Sequence, residues 1–184
     1  MQPYKTNTNF IYKMKKLIIL LALTTSTINV AQEKKHEIRI DALEVLVTPA
    51  IDVSYEYSLS DGIGIGLSSF FRVDQPEDDF KRFALTPYVR QYFFNNMDFG
   101  QKGFYIEAFG QYSNGKREAI IVNDAKVINN YSDFGLGFGG GLKWLASSGF
   151  SIDVGAGVGR NFSVKDGAPD FFLRWGIHVG YRFL

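Results

Sequence analysis

Over residues 170–183 every second side chain is apolar, and this alternation constrains the fold more than any other feature of the chain. Phe171, Leu173, Trp175, Ile177, Val179, Tyr181 and Phe183 share one parity, and Arg174, Gly176, His178, Gly180 and Arg182 share the other. A period of two is the mark of a β-strand whose two faces meet different surroundings. The period recurs upstream. Ile51, Val53, Tyr55, Tyr57 and Leu59 alternate with Asp52, Ser54, Glu56 and Ser58, and Ser60-Asp61-Gly62 then reads as a tight turn. Further strands are expected over 63–73, 81–94, 103–113, 132–145 and 150–159. Pro87 inside 81–94 points to an edge or a bulge there. Residues 114–131 form the longest polar connection. Residues 37–47 supply an eighth strand. Leu43, Val45 and Val47 break the phase set by Ile38 and Ile40, which predicts a bulge near 42–44. No helical period persists after residue 36. The expected fold is all-β: an eight-stranded antiparallel up-and-down transmembrane β-barrel, the even strand number being the rule for single-chain bacterial barrels.

The second face of these strands decides between a membrane barrel and a soluble one. It is dominated by glycine, as in Gly135, Gly137, Gly139 and Gly141 or Gly155, Gly157 and Gly159, with isolated charges between. Outward glycine runs would leave strands poorly packed. Facing inward they make sense, because eight strands enclose a lumen just wide enough for side chains. The aromatic-rich face then meets lipid. The charges on the lumen parity are Asp52, Glu56, Arg72, Arg82, Arg90, Glu107, Asp133, Lys143, Asp153, Arg174 and Arg182, six basic and five acidic. Buried charges need partners, so this near balance predicts an ion-pair network, His178 included, that fills the lumen as a structural plug. Tyr57, Phe93, Phe104, Trp144, Phe150, Tyr181 and Phe183 fall near one set of strand ends and are expected to form a periplasmic aromatic girdle. With the N-terminus on the periplasmic side, the turns 60–62 and 146–149 lie there too. The longer loops 74–80, 114–131 and 161–169 then face outward and are where an extracellular partner would bind.

Residues 1–31 read as an address. Met14-Lys15-Lys16 precedes the apolar run 17–23, and small polar residues follow, the pattern of a secretory signal peptide. The run is too short to span a bilayer as a helix. Cleavage is expected after Ala31 and the start of translation at Met14, leaving residues 32–184 as the barrel domain. The implied location is the outer membrane of a Gram-negative bacterium. The formal net charge is +1, with 20 Lys+Arg against 19 Asp+Glu, which offers no basic excess for nucleic acid. There is no Cys, which removes disulfides, thiol catalysis and a lipoprotein anchor, and two His, which removes a His-rich metal site. No metal and no cofactor are expected. The glycine runs lie inside alternating strands rather than between a strand and a helix, so they do not form a phosphate loop. The acids Glu77, Asp78 and Asp79 match no calcium-loop spacing.

Several segments together resemble a family of small Bacteroidota outer-membrane proteins carried as a domain of unknown function. They are 52–57, 85–93 (Leu-Thr-Pro-Tyr-Val-Arg-Gln-Tyr-Phe), 103–107, Gly149-Phe150, 157–160 and the terminal Gly180-Tyr181-Arg182-Phe183. The resemblance covers about residues 37–184. It implies an eight-stranded barrel similar in architecture to the OmpA and OmpX type, and brings no catalytic residue and no ligand. The aromatic C-terminus also resembles the strand by which such barrels are recognised for insertion, so the insertion machinery and outer-membrane lipid are the implied partners.

The functional expectation is a small outer-membrane barrel with a structural or surface-interaction role, not an enzyme. Two alternatives remain open. One is a barrel enzyme modifying envelope lipids with His178 as its base, which titrates near neutrality and would need Ser54 or Ser151 within hydrogen-bond reach. The other is a soluble periplasmic barrel that binds an apolar ligand inside.

Overall fold

A computed structural model describes residues 35–47, 49–60, 62–74, 80–93, 101–122, 125–162 and 170–183. The expected signal peptide, its cleavage site and the acids Glu77, Asp78 and Asp79 lie outside the described residues. Among the described residues the elements run β1 His36–Asp41, α1 Ala42–Val47, β2 Ala50–Ser60, β3 Ile63–Arg72, β4 Phe80–Tyr92, β5 Gly103–Val122, β6 Ala125–Leu145, β7 Phe150–Asn161 and β8 Phe171–Phe183. Each strand pairs antiparallel with its sequence neighbours, and β8 closes on β1, so the expected eight-stranded up-and-down barrel is what forms. Following residue-to-residue partners once around the wall from Phe171 leads back to β8 at Tyr181, ten residues on. Such a stagger tilts the strands by about 40° to the axis.

The barrel is inside-out relative to a water-soluble protein. Arg39, Arg90, Lys143, Glu37, Glu56 and Asp153 are among the most deeply buried side chains, whereas Ile38, Ile65, Val89, Ile106, Phe138 and Leu173 stand exposed on the outer face. Period two produces this directly, since alternate residues of every strand point to opposite faces. The inward glycines are where large side chains from other strands cross the lumen. A Cβ at Gly66 would strike Tyr88, one at Gly141 or Gly155 would strike Tyr105, and one at Gly137 or Gly157 would strike Phe109.

Four sequence expectations change. The strand predicted over 37–47 stops at Asp41, and residues 42–47 form α1 instead of a bulge. The cause is local: the Asp41 carboxylate accepts the backbone amides of Leu43 (2.8 Å) and Glu44 (3.2 Å) and so caps a helix start. Residues 114–131 are for the most part strand rather than loop, because β5 and β6 continue to pair with each other up to Val122 and Ala125. β4 is no edge strand. It is paired on both sides, and its register with β5 passes from Leu85 to Tyr88 around Pro87, whose nitrogen has no hydrogen to give. The bulge of β4 is at Arg82 instead, between the paired residues Lys81 and Phe83.

Outer-face aromatics form a row at each end. At the rim where β1 begins and β8 ends lie Phe93 and Phe104, with centroids 6.0 Å apart. At the opposite rim Phe83 contacts Phe71 (5.0 Å) and Tyr112 (6.4 Å), and Phe134 stacks on Phe162 (6.2 Å). This second row was not anticipated. Phe83 and Phe93 are ten residues apart on one run of chain, which at ~3.4 Å per residue and ~40° tilt separates the rows by about 26 Å.

Filling one inward glycine tests this packing. Gly155→Val forces Tyr105 off its site and is expected to destabilise the barrel by about 1–3 kcal/mol. Ala156→Val, next to it on the outer face, is expected to change stability by less than about 0.5 kcal/mol. Urea unfolding of the protein in lipid vesicles, followed by tryptophan fluorescence, compares the two.

Candidate functional site: a charged lumen

Alternation brings one polar residue after another to the same depth, and closure of the barrel then places residues far apart in sequence side by side. Seven of the eight strands contribute charge to the central cluster: Glu37 and Arg39 from β1, Glu56 from β2, Arg90 from β4, Glu107 from β5, Lys143 from β6, Asp153 from β7, and Arg174 and Arg182 from β8. β3 contributes space, since a Cβ at Gly64 would press on the Glu56 carboxyl.

Glu56 is the hub. Its carboxylate meets Arg39 (2.9 Å), Lys143 (3.1 Å) and Arg90 (3.4 Å), and accepts the Tyr92 hydroxyl (2.7 Å). Asp153 binds both Arg39 (3.1 Å) and Arg90 and accepts the Tyr105 hydroxyl (2.7 Å). Glu37 takes Lys143 (2.8 Å) and Arg182 (2.9 Å). Glu107 bridges Arg90 (2.6 Å) and Arg174. Arg90 also lies 4.1 Å above the Tyr105 ring. Five cations thus interleave with four carboxylates in this cluster. The arrangement suits mutual neutralisation, because each charge removed from water meets opposite charge and hydrogen-bonding hydroxyls. A space of about 10 Å³, room for about one water molecule, lies between Arg90, Tyr105, Glu107, Arg174 and His178.

The predicted lumen residues divide into groups. Glu56, Arg90, Glu107, Lys143, Asp153, Arg174 and Arg182 come together in the cluster. Asp52, Arg72 and Asp133 sit higher: Asp52 accepts the Ser68 hydroxyl (2.6 Å), Arg72 pairs with Asp74 (2.7 Å), and Asp133 accepts the Phe134 amide (2.6 Å). Arg82 is a correction. The bulge turns it outward, where it is exposed, and Lys81 takes the inward position with Nζ 4.1 Å above the Phe70 ring. His178 is buried 3.7 Å from Asp41. Neither candidate serine serves it, since Ser151 donates to Glu37 (3.0 Å) and Ser54 accepts from Arg39 (3.3 Å). The aromatics Tyr57, Phe93, Phe104, Trp144, Phe150, Tyr181 and Phe183 lie near the rim where β1 begins. His36 begins β1 there, between Tyr57 (5.2 Å) and Phe183 (6.0 Å).

Glu37, Arg39 and Asp41 were missed, although the spacing of Ile38 and Ile40 already put them on the opposite face. The change of phase after Asp41 hid that. Tyr88, Tyr92 and Tyr105 share the lumen parity, but nothing in an alternation tells an inward tyrosine from a lipid-facing one. Gln101 carried no signal at all. It lies in an aperiodic connection with a left-handed backbone (φ 53°), and it ties the rim together by donating to the carbonyls of Ser60 (3.2 Å) and Ile63 (2.6 Å) while accepting the Ser58 hydroxyl (2.7 Å).

No protein-family model and no curated protein matches the chain. Among solved structures it is similar to the N-terminal β-barrel domain of Pseudomonas aeruginosa OprF, with a TM-score of 0.51 and 16% identity over 82% of this chain and 98% of that one. It also aligns with Neisserial surface protein A, with a TM-score of 0.45 and 13% identity over 81% and 95% of the two chains. At 16% identity the first likeness establishes the fold.

Removing one carboxylate should cost more than one ion pair. Glu56→Gln leaves Arg39, Lys143 and Arg90 facing an uncharged amide and is expected to destabilise the barrel by about 3–5 kcal/mol. Asp52→Asn, above the cluster, is expected to cost about 1 kcal/mol. The shift in urea midpoint in vesicles measures both.

Proposed function

We propose that this chain is an outer-membrane barrel of a Gram-negative bacterium, belonging with the small Bacteroidota barrels its segments resemble, whose role is structural and surface-interacting. The observation that carries the reading is the inverted polarity: a wall that is apolar outward between two aromatic rows about 26 Å apart, around a lumen of interlocked charges. A bilayer asks for an outward apolar band ~25 Å tall with aromatic girdles at both interfaces. A soluble barrel holding an apolar ligand would need an apolar lumen, and here the lumen is filled by Arg39, Arg90, Lys143, Glu56 and Asp153. Closure of β8 on β1 pairs each strand on both sides over the lower wall, which suits crossing hydrocarbon.

The orientation follows from connection lengths. The connections from Ser60 to Ile63 and over 146–149 are short and share the rim of the first aromatic set, which suits the periplasm. The β5–β6 hairpin rises from the other rim. Among the described residues no strand but β6 pairs with β5 past Lys116, and the six residues 117–122 project by about 20 Å. Among the described residues neither edge is paired, so it offers a partner two strand-addition surfaces on a rigid base. The charged lumen acts as the plug that fixes the barrel's shape.

Two measurements test this. The membrane fraction, extracted in detergent and run boiled against unboiled, is expected to show a heat-dependent change of gel mobility. An epitope inserted between Asn123 and Asp124 is expected to bind antibody on intact cells, whereas one inserted between Ser147 and Ser148 binds only after the outer membrane is opened. Protein recovered folded without detergent, or the reverse pattern of epitope access, would sink the reading.

A further inference from the structure

The two seams made by β1 are the shortest in the barrel. Pairing with β8 ends at Asp41 opposite His178, and pairing with β2 ends at Ile40 opposite Val53. Above that level residues 171–177 of β8 run on with no strand on their β1 side among the described residues. Even-numbered residues of β8 bond to β7, as the Arg182 amide to the Gly149 carbonyl (2.8 Å) and the Asp170 carbonyl to the Asn161 amide (2.9 Å) show. By antiparallel alternation, Phe171, Leu173, Trp175 and Ile177 therefore turn their backbone groups toward the notch. α1 lies across it, against β8 and β2, in place of a paired strand, and its own Leu46 stays 82% exposed.

This arrangement is tolerable in water and costly in lipid, where an open sheet edge is strongly disfavoured. The residues of α1 suit another conformation. Six residues make too short a helix to stand on its own propensity, and Val45 and Val47 are β-branched residues that favour strands. Leu43, Val45 and Val47 also keep a period of two. If Ala42 is taken up as a bulge, these three fall opposite Ile177, Trp175 and Leu173 on the outer face. Glu44 then turns inward, on the side of Lys81, to which its charge is already attracted.

We propose that residues 42–47 are a two-state strap: a helix that leaves the β1–β8 seam ajar, and a strand that seals it when the wall is in a bilayer. The open form leaves the side of the wall beside Asp41, Asp52 and Lys81 unpaired, and the strand form closes it. The inference rests on the membrane-spanning reading, which the gel-mobility assay tests separately on the same preparation.

Carbon chemical shifts of Leu43, Val45 and Val47 in the full barrel domain should be strand-like in phospholipid vesicles. The chain has no cysteine of its own, so a Val45→Cys/Trp175→Cys variant can be oxidised cleanly. It should cross-link in vesicles as fully as Ile40→Cys/Val179→Cys, a pair already in register. Helix-like shifts in vesicles overturn the strap. So do strand-like shifts in a protein whose 45–175 pair links at least tenfold less than the 40–179 pair, since the strand would then seal something other than this seam. A protein that shows no heat-dependent mobility overturns the membrane reading, and with it the need for closure.

Discussion

The Glu56 carboxylate is the point on which the lumen depends. It is reached from β1 by Arg39, from β4 by Arg90 and Tyr92, and from β6 by Lys143, so one buried anion ties opposite walls of the barrel together. Alone in a lumen this narrow, any of these charges would be heavily penalised. Held together, each lowers the cost of the others, and the set acts as a unit. Such a cluster also fixes register, because a one-residue slip of any strand would send its charge into the outer, apolar environment.

The glycines are the geometric complement of the charges. Five long cationic side chains and several tyrosines fit inside eight strands because Gly66, Gly141, Gly155, Gly176 and Gly180 leave room for Tyr88, Tyr105, Asp41 and Arg39 to cross. Backbone opposite side chain, rather than side chain opposite side chain, is how so small a lumen is filled. The outer face needs no such matching. Its residues must only be apolar in the middle and aromatic at the rims, and the two rows around Phe93 and Phe83 meet that need.

The far side of the wall is less regular. Residues 42–47 leave the strand and the β5–β6 hairpin leaves the barrel, so this end carries both an incompletely zipped seam and a projecting ribbon. The opposite end is tied down by Gln101 and by the short turns. A stable, charge-locked lower half beneath a more adaptable upper half is the expected division for a scaffold that presents loops.

The residues alone determined the strand number, the inward parity and seven members of the charged cluster, because side-chain direction in a strand follows from counting by two. Counting failed wherever a backbone event changed the count. A bulge reversed Arg82 and Lys81, and the Asp41 cap turned 42–47 into a helix and obscured Glu37 and Arg39. It also could not show that the run 114–131 pairs with itself as a hairpin. Which charges touch was decided by tertiary structure alone. Partnership between Glu56 and Lys143, or between Arg39 and Asp153, depends on closure and stagger around the whole wall, and no local pattern in the chain records either.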